Sequence, residues 1–176
     1  MTGTIGLIGT MDEAHAAAAG IAAALKERGQ TLAVAETAAG GLISATLLAV
    51  PGASAWFLGG AVAYSAVAKE RWLSLRAGAF GPGSVVSEGG VLAMARAVRE
   101  ATGATWGLAE AGIAGPQTGR RSSKPAGLVY VAVSGPVEAV EEIRTGLDDR
   151  AANQHAFAAA ALRLLAKVCS VAAARL

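Results

Sequence analysis

The sequence predicts an α/β sandwich, a single domain in which helices flank a mixed β-sheet. Three observations carry this. Short β-rich runs punctuated by glycine fall at 31–36, 56–65 (with 61–65 expected as the strand in the sheet), 105–111 and 128–134. Segments with helical spacing alternate with the early runs. Late in the chain the run at 128–134 turns at Gly135-Pro136 into 138–145, so two strands adjoin as a hairpin. Alternation followed by a hairpin is the order of a mixed sheet with helices on its faces.

Residues 1–11 read as a loosely attached leader. Asp12 then caps a helix that runs to Arg28 and is stopped by Gly29, with Ala17, Ile21 and Leu25 on one face. After the strand at 31–36, Thr37 to Gly41 make a small-residue turn, and 42–50 is a helix ended by Pro51-Gly52. The strand at 56–65 carries glycines at 59 and 60, and 66–75 is a short helix. Gly81-Pro82-Gly83 breaks the chain. Ser87 caps the next helix, which buries Val91, Met94, Ala95 and Val98 and ends at Gly103. The loop at 112–126 separates the strands at 105–111 and 128–134. The last helix spans 149–168, with Phe157, Ala161, Leu164, Leu165 and Val168 on one stripe.

The chain has 176 residues, one domain's worth, and 53% apolar against 16% charged residues excludes disorder. Its apolar share is unusual in kind: 44 alanines and 23 glycines stand against 5% aromatics. No stretch reaches the roughly 20 apolar residues that cross a bilayer. No basic residue precedes the short apolar part of 1–11, which argues against a signal peptide. The net charge of +2 is scattered, with Arg120-Arg121 the only adjacent basic pair. A nucleic-acid groove needs a clustered basic stripe with aromatic interleaving, so nucleic acid is not the expected partner. The single cysteine, Cys169, sits in an apolar helical pattern and is expected in the core, as fits a reducing cytoplasm. The two histidines stand apart on Ala-rich helices, and no metal-ligand cluster, nucleophile elbow, Walker loop or dinucleotide fingerprint is present.

Four polar clusters remain, each at an element end. Glu36 and Thr37 close the first strand ahead of Gly40 and Gly41. A hydroxyl there, beside the amides of a helix start, suits a nucleophile with an oxyanion hole; on pattern alone a plain helix cap is the commoner use. Tyr64, Ser65 and Lys69 form the second. A lysine withdrawn from water loses affinity for its proton and becomes a base for a hydroxyl, whereas at a surface it is ordinary. Gly112 to Pro116, with the polar loop up to Lys124, form the third, where glycines let backbone approach an anion or simply permit turns. In the fourth, Asp148 and Asp149 complement a helix N-terminus while Arg150 reaches for a phosphate.

Together these residues resemble the CinA C-terminal domain family, also called the nicotinamide-nucleotide amidase family, over about residues 13–168. The family's Glu-Ser-Cys-Thr-Gly-Gly motif corresponds to Glu36-Thr37-Ala38-Ala39-Gly40-Gly41. Val50 to Ser54, Phe57 to Gly60, Ala63-Tyr64-Ser65 with Ala68-Lys69, and Val86-Ser87-Glu88 follow in the family's order. So do Gly112 to Pro116, Lys124-Pro125 with Gly127, Val129 to Ala132, and Gly146 with Asp149-Arg150. The resemblance implies the CinA C-terminal fold and hydrolysis of the carboxamide of nicotinamide mononucleotide to nicotinate mononucleotide and ammonia, without metal or cofactor. It implies Thr37 as nucleophile, Lys69 as base and Tyr64 beside them. Glu36, Gly40, Gly41, Ser65, Gly112, Gly115, Lys124 and Arg150 would then contact the substrate, with backbone amides holding the oxyanion.

The chain departs from the pattern where chemistry is expected. Thr37 replaces the family's serine and adds a methyl group that restricts rotamers. Ala38, Ala39 and Ala111 replace a cysteine and two threonines, and Gln154 stands where a second arginine is usual. Two readings follow: an amidohydrolase of a pyridine nucleotide or related amide, and a non-catalytic member that binds a nucleotide or a protein partner. Trp56, Phe57 and Trp72 either fill the core or face a second subunit, and a homo-oligomer, a dimer first, is expected.

Overall fold

A computed structural model describes residues 10–80, 84–116 and 123–173. Five strands form one mixed sheet in the order β2-β1-β3-β4-β5. These are β1 (Leu32–Glu36), β2 (Phe57–Val62), β3 (Trp106–Gly112), β4 (Leu128–Ser134) and β5 (Ala139–Arg144). β1 runs parallel to both β2 and β3, whereas β3, β4 and β5 are successively antiparallel. The α/β sandwich with a mixed sheet is therefore the fold observed, and β4 occupies the residues expected of it.

Helices α1 (Met11–Glu27), α2 (Leu42–Leu48) and α5 (Arg150–Ala173) cover one face, and α3 (Ala66–Leu73) and α4 (Glu88–Thr102) cover the other. The alternation along the strands sorts the core accordingly. Leu32, Val34, Trp106 and Leu108 pack under α1, α2 and α5. Ala33, Ala35, Ala109 and Ala111 pack under α3 and α4, where methyl-sized side chains let α4 approach closely.

Several boundaries differ from those expected. Thr10, not Asp12, caps α1. Its hydroxyl accepts from the Glu13 amide while the Glu13 carboxylate accepts from the Thr10 amide, and Asp12 falls in the first turn beside the helix dipole. Met11 thus opens α1, and residues 1–9 of the expected leader lie outside the described residues. α5 continues to Ala173, because nothing in the Ala-rich sequence after Val168 stops it. β2 ends at Val62, earlier than expected. Ser65 instead caps α3, its Oγ accepting from the Ala68 amide at 3.1 Å. Ser87 and Gly103 bound α4 as expected, the glycine at φ +69°.

Trp56, Phe57 and Cys169 are buried, whereas Trp72 is 59% exposed. Burial pushes the Cys169 thiol up to about 11, so it belongs to the core in chemistry as well as position. Among the described residues, no helix is long and apolar enough to cross a membrane.

Candidate active site

The parallel strands β1 and β3 end side by side, and the turns that leave them carry the motif residues. In open α/β sheets this end is where ligands are bound. Glu36 closes β1 and is fully buried. One carboxylate oxygen accepts from the amides of Gly41 and Ile43, and the other from the amide and hydroxyl of Ser44. Gly41, at φ +101°, offers no side-chain cap to α2, and Glu36 supplies the anion in its place. Glu36, expected to contact substrate, instead holds the start of α2.

Glu110 lies in β3, one residue beyond the Ala35–Ala109 pair, and is also fully buried. Its Oε2 accepts from the amides of Thr37 at 3.0 Å and Ala39 at 2.9 Å. Its main-chain carbonyl accepts from the Thr37 hydroxyl at 3.3 Å. Burial pushes the Glu110 carboxyl up to about 7, against the opposing pull of those amides and with help from the Glu36 charge.

The Thr37, Ala39 and Gly41 amides of the turn are therefore not free for an oxyanion. The amides of residues 37, 39, 41, 43 and 44 already serve the two buried carboxylates. Sequence reasoning missed Glu110. The one available signal was an ionisable residue inside the otherwise apolar run 106–112, since a carboxyl seldom enters a buried strand without partners.

Lys69 lies on α3 and is only 6% exposed, as is Thr37. Its Nζ donates to the carbonyls of Tyr64 at 2.8 Å and Ser65 at 3.5 Å. Burial lowers the proton affinity of Lys69, and the Glu110 carboxylate opposes that shift. Among the described residues no hydrogen bond joins Thr37 to Lys69: the hydroxyl faces the Glu110 carbonyl and the amine faces the Tyr64 and Ser65 carbonyls between β2 and α3. Catalytic hydrogen bonds are commonly long or misaligned before substrate arrives.

A third group is brought together from three elements. The Arg150 guanidinium donates to the Gly115 carbonyl at 2.9 Å and reaches the Tyr64 hydroxyl at 3.4 Å. Tyr64 is 61% exposed and Arg150 is exposed too, so this group faces solvent. α5 also ties down both turns. Gln154 donates to the Ala38 carbonyl at 2.9 Å, and Asn153 donates to the Ala114 carbonyl at 3.0 Å. Gly40 lies under Gln154, where an added Cβ would meet Nε2 at 3.2 Å, and Gly112 packs on the Phe157 ring. The Lys124 amine donates to the Val86 carbonyl and stands 5.6 Å from the centre of the Tyr130 ring, so it secures the entry to β4. Residues 117–122, including Arg120-Arg121, lie outside the described residues. Among the described residues no group of three or more His, Cys, Asp or Glu is placed to hold a metal ion.

Comparison with known proteins gives the family. The family model described as the CinA C-terminal domain matches residues 14–169. A CinA-like protein of Parasynechococcus marenigrum is 45% identical over 128 residues, 73% of this chain and 30% of that protein. One from Salinibacter ruber is 40% identical over 165 residues, 94% of this chain and 39% of that protein. The chain thus spans about a third of the length of these relatives. Among solved structures, a CinA superfamily protein from Klebsiella pneumoniae superposes with a TM-score of 0.81 at 30% identity, over 89% of this chain and 98% of that one. The competence/damage-inducible protein CihA of Agrobacterium tumefaciens gives 0.82 at 29% identity, over 89% and 95%. With the family model matched over residues 14–169 and relatives at 40–45% identity, the chain belongs to the CinA C-terminal domain family.

Proposed function

We propose that the chain is an amidohydrolase that removes the carboxamide nitrogen of nicotinamide mononucleotide, or of a closely related amide, as ammonia. The observation that carries this is Lys69, an amine held at the carboxyl end of the sheet with its proton affinity lowered by burial. A neutral lysine takes a hydroxyl proton, which an ordinary surface lysine does not do at neutral pH. Thr37 is the hydroxyl of the motif, and its rotation away from the Glu110 carbonyl delivers the proton toward Lys69. The Oγ1–carbon bond forms, Lys69 passes the proton to the departing nitrogen, and water then hydrolyses the ester. With the Thr37, Ala39 and Gly41 amides engaged, the oxyanion falls to other donors, for which the exposed Tyr64 hydroxyl is a candidate. Arg150, beside Tyr64 and Gly115, suits the phosphate.

The second reading, a nucleotide-binding member without turnover, is favoured by the engaged Thr37 hydroxyl and by the γ-methyl, which restricts its rotamers. Ammonia release from nicotinamide mononucleotide separates the two. Thr37→Ser should raise it well above the parent, and Lys69→Ala should lower it by roughly 10²- to 10⁴-fold, the usual worth of a positioned base. Binding in calorimetry with no ammonia from either the parent or Thr37→Ser favours the second reading. Full activity in Lys69→Ala overturns the lysine mechanism.

A further inference from the structure

The two edges of the sheet are built differently. β5 carries Glu141, Glu142 and Arg144, and these charges are paired, Glu141 with Lys167 and Glu142 with Arg144. β2 carries no charge at all, its residues being Phe-Leu-Gly-Gly-Ala-Val. Charged side chains are the usual guard of a sheet edge, and an apolar edge without them is a template for another chain.

The surroundings of β2 are apolar too. Among the described residues, the large hydrophobic side chains that stand exposed are Leu48, Leu58, Val62, Tyr64, Val67 and Trp72, at 38–61%. Five of them fall in β2, in the link after it and in α3. Leu48 ends α2, the helix packed on β2. The register to β1 skips Leu58, a bulge that leaves this residue without a partner in the neighbouring strand. On the sheet face of Ala33, Gly59 has open space where a Cβ would stand.

We propose that this β2–α3 surface is where a second copy of the chain docks, with a two-fold axis across β2. Area and charge both point to a like copy. The six side chains expose on the order of 600 Å² per copy, the upper end of what a monomer shows. Doubled and rimmed by polar groups, the patch reaches the roughly 1,200–2,000 Å² total of a stable interface. The charges beside it are few and of both signs. Glu70 pairs with Arg76, and Arg71 adjoins them on α3. An isologous contact that brings Glu70 toward the other copy's Arg71 does so twice, so the surface is complementary to itself. An anionic membrane or a nucleic acid would call for a basic cluster, which the described residues do not form here. The bulge disfavours an unbroken hydrogen-bonded ladder across the edge, so side chains make the contact. Tyr64 belongs both to this surface and to the Arg150 group, and docking therefore excludes solvent from the open side of the candidate site.

Light scattering and sedimentation of the full chain, from about 1 µM to about 100 µM, test this by mass. The parent is expected at twice 17.4 kDa. Leu58→Asp and Trp72→Asp each put a charge into the contact. Both should weaken association by roughly 100-fold or more and shift the chain to its single mass. Glu141→Lys, at the opposite edge, should stay paired. Leu58 and Trp72 are exposed, so the circular dichroism of both variants should match the parent's. Val67→Asp replaces either one that does not fold. A parent at the single-chain mass throughout overturns the proposal, as does a dimer that survives the folded aspartate variants or is lost in Glu141→Lys. A monomeric parent that floats with phosphatidylglycerol vesicles gives the surface to a membrane and overturns it as well. Ammonia release plays no part in these measurements. A dimer without activity fails the amidase reading only, and an active monomer fails the docking proposal only.

Discussion

Replacing Glu36 by glutamine tests how much one buried carboxylate contributes to the fold. The native side chain receives four donors, three backbone amides and the Ser44 hydroxyl, at 2.6–3.1 Å. A glutamine oxygen in the Oε2 position retains Gly41 and Ile43. Its amino group then faces the Ser44 hydroxyl, which can turn to accept, and the Ser44 amide, which cannot. One buried N–H loses its acceptor, at about 1–3 kcal/mol. The retained bonds fall from charge-assisted to neutral, at about 1 kcal/mol each. The flipped amide is worse, because it orphans two backbone amides. The expected loss is therefore about 3–6 kcal/mol, a large part of the roughly 5–15 kcal/mol that a domain possesses. For a chain of this size that lowers Tm by roughly 10–20 °C. Urea unfolding monitored by circular dichroism reads it as a lower midpoint with an unchanged slope. A loss under about 1 kcal/mol would refute the four-donor account and mean that water or a rearranged α2 satisfies these groups.

Other outcomes follow from the same packing. Gly107→Ala places a Cβ 2.0 Å from the Ala95 carbonyl oxygen, main chain that cannot yield without moving α4; it should destabilise by about 2 kcal/mol or more in denaturant titration. Gly20→Ala, in mid-α1 with nothing within 4 Å of the added Cβ, should stabilise by about 0.5–1 kcal/mol in the same assay. Glu110 gives stability a pH slope. Its folded carboxyl titrates at about 7 against 4.5 unperturbed, so the native state holds the extra proton between those values, and stability falls as pH rises through that window. Glu110→Gln should flatten that part of the profile. Arg96→Ala, which breaks an exposed pair with Glu138, should cost no more than about 1 kcal/mol.

What the sequence by itself determined is whatever short-range physics decides. Period-2 and period-3.6 patterns located β4 at its observed ends and every helix to within a few residues. Ser87 and Gly103 bounded α4, and glycine-rich turns marked the strand ends where the candidate site lies. Where the ends slipped, a competing local device decided, as when the Thr10–Glu13 capping box outranked Asp12. Motif order was sufficient to indicate the family, since separated matches reinforce one another even when each is weak. Tertiary structure alone decided who partners whom. Thr37 and Glu110 are 73 positions apart, and Tyr64 and Arg150 are 86 apart. No propensity spans such a distance; only the β1–β3 register brings the first pair together, and only the seating of α5 the second. For the same reason the amides of Thr37, Ala39 and Gly41 looked free in the sequence and are not. A glutamate read along the chain is one more polar residue, but once a neighbouring strand buries it, its charge must find donors, and those at hand were the amides of the Thr37 turn.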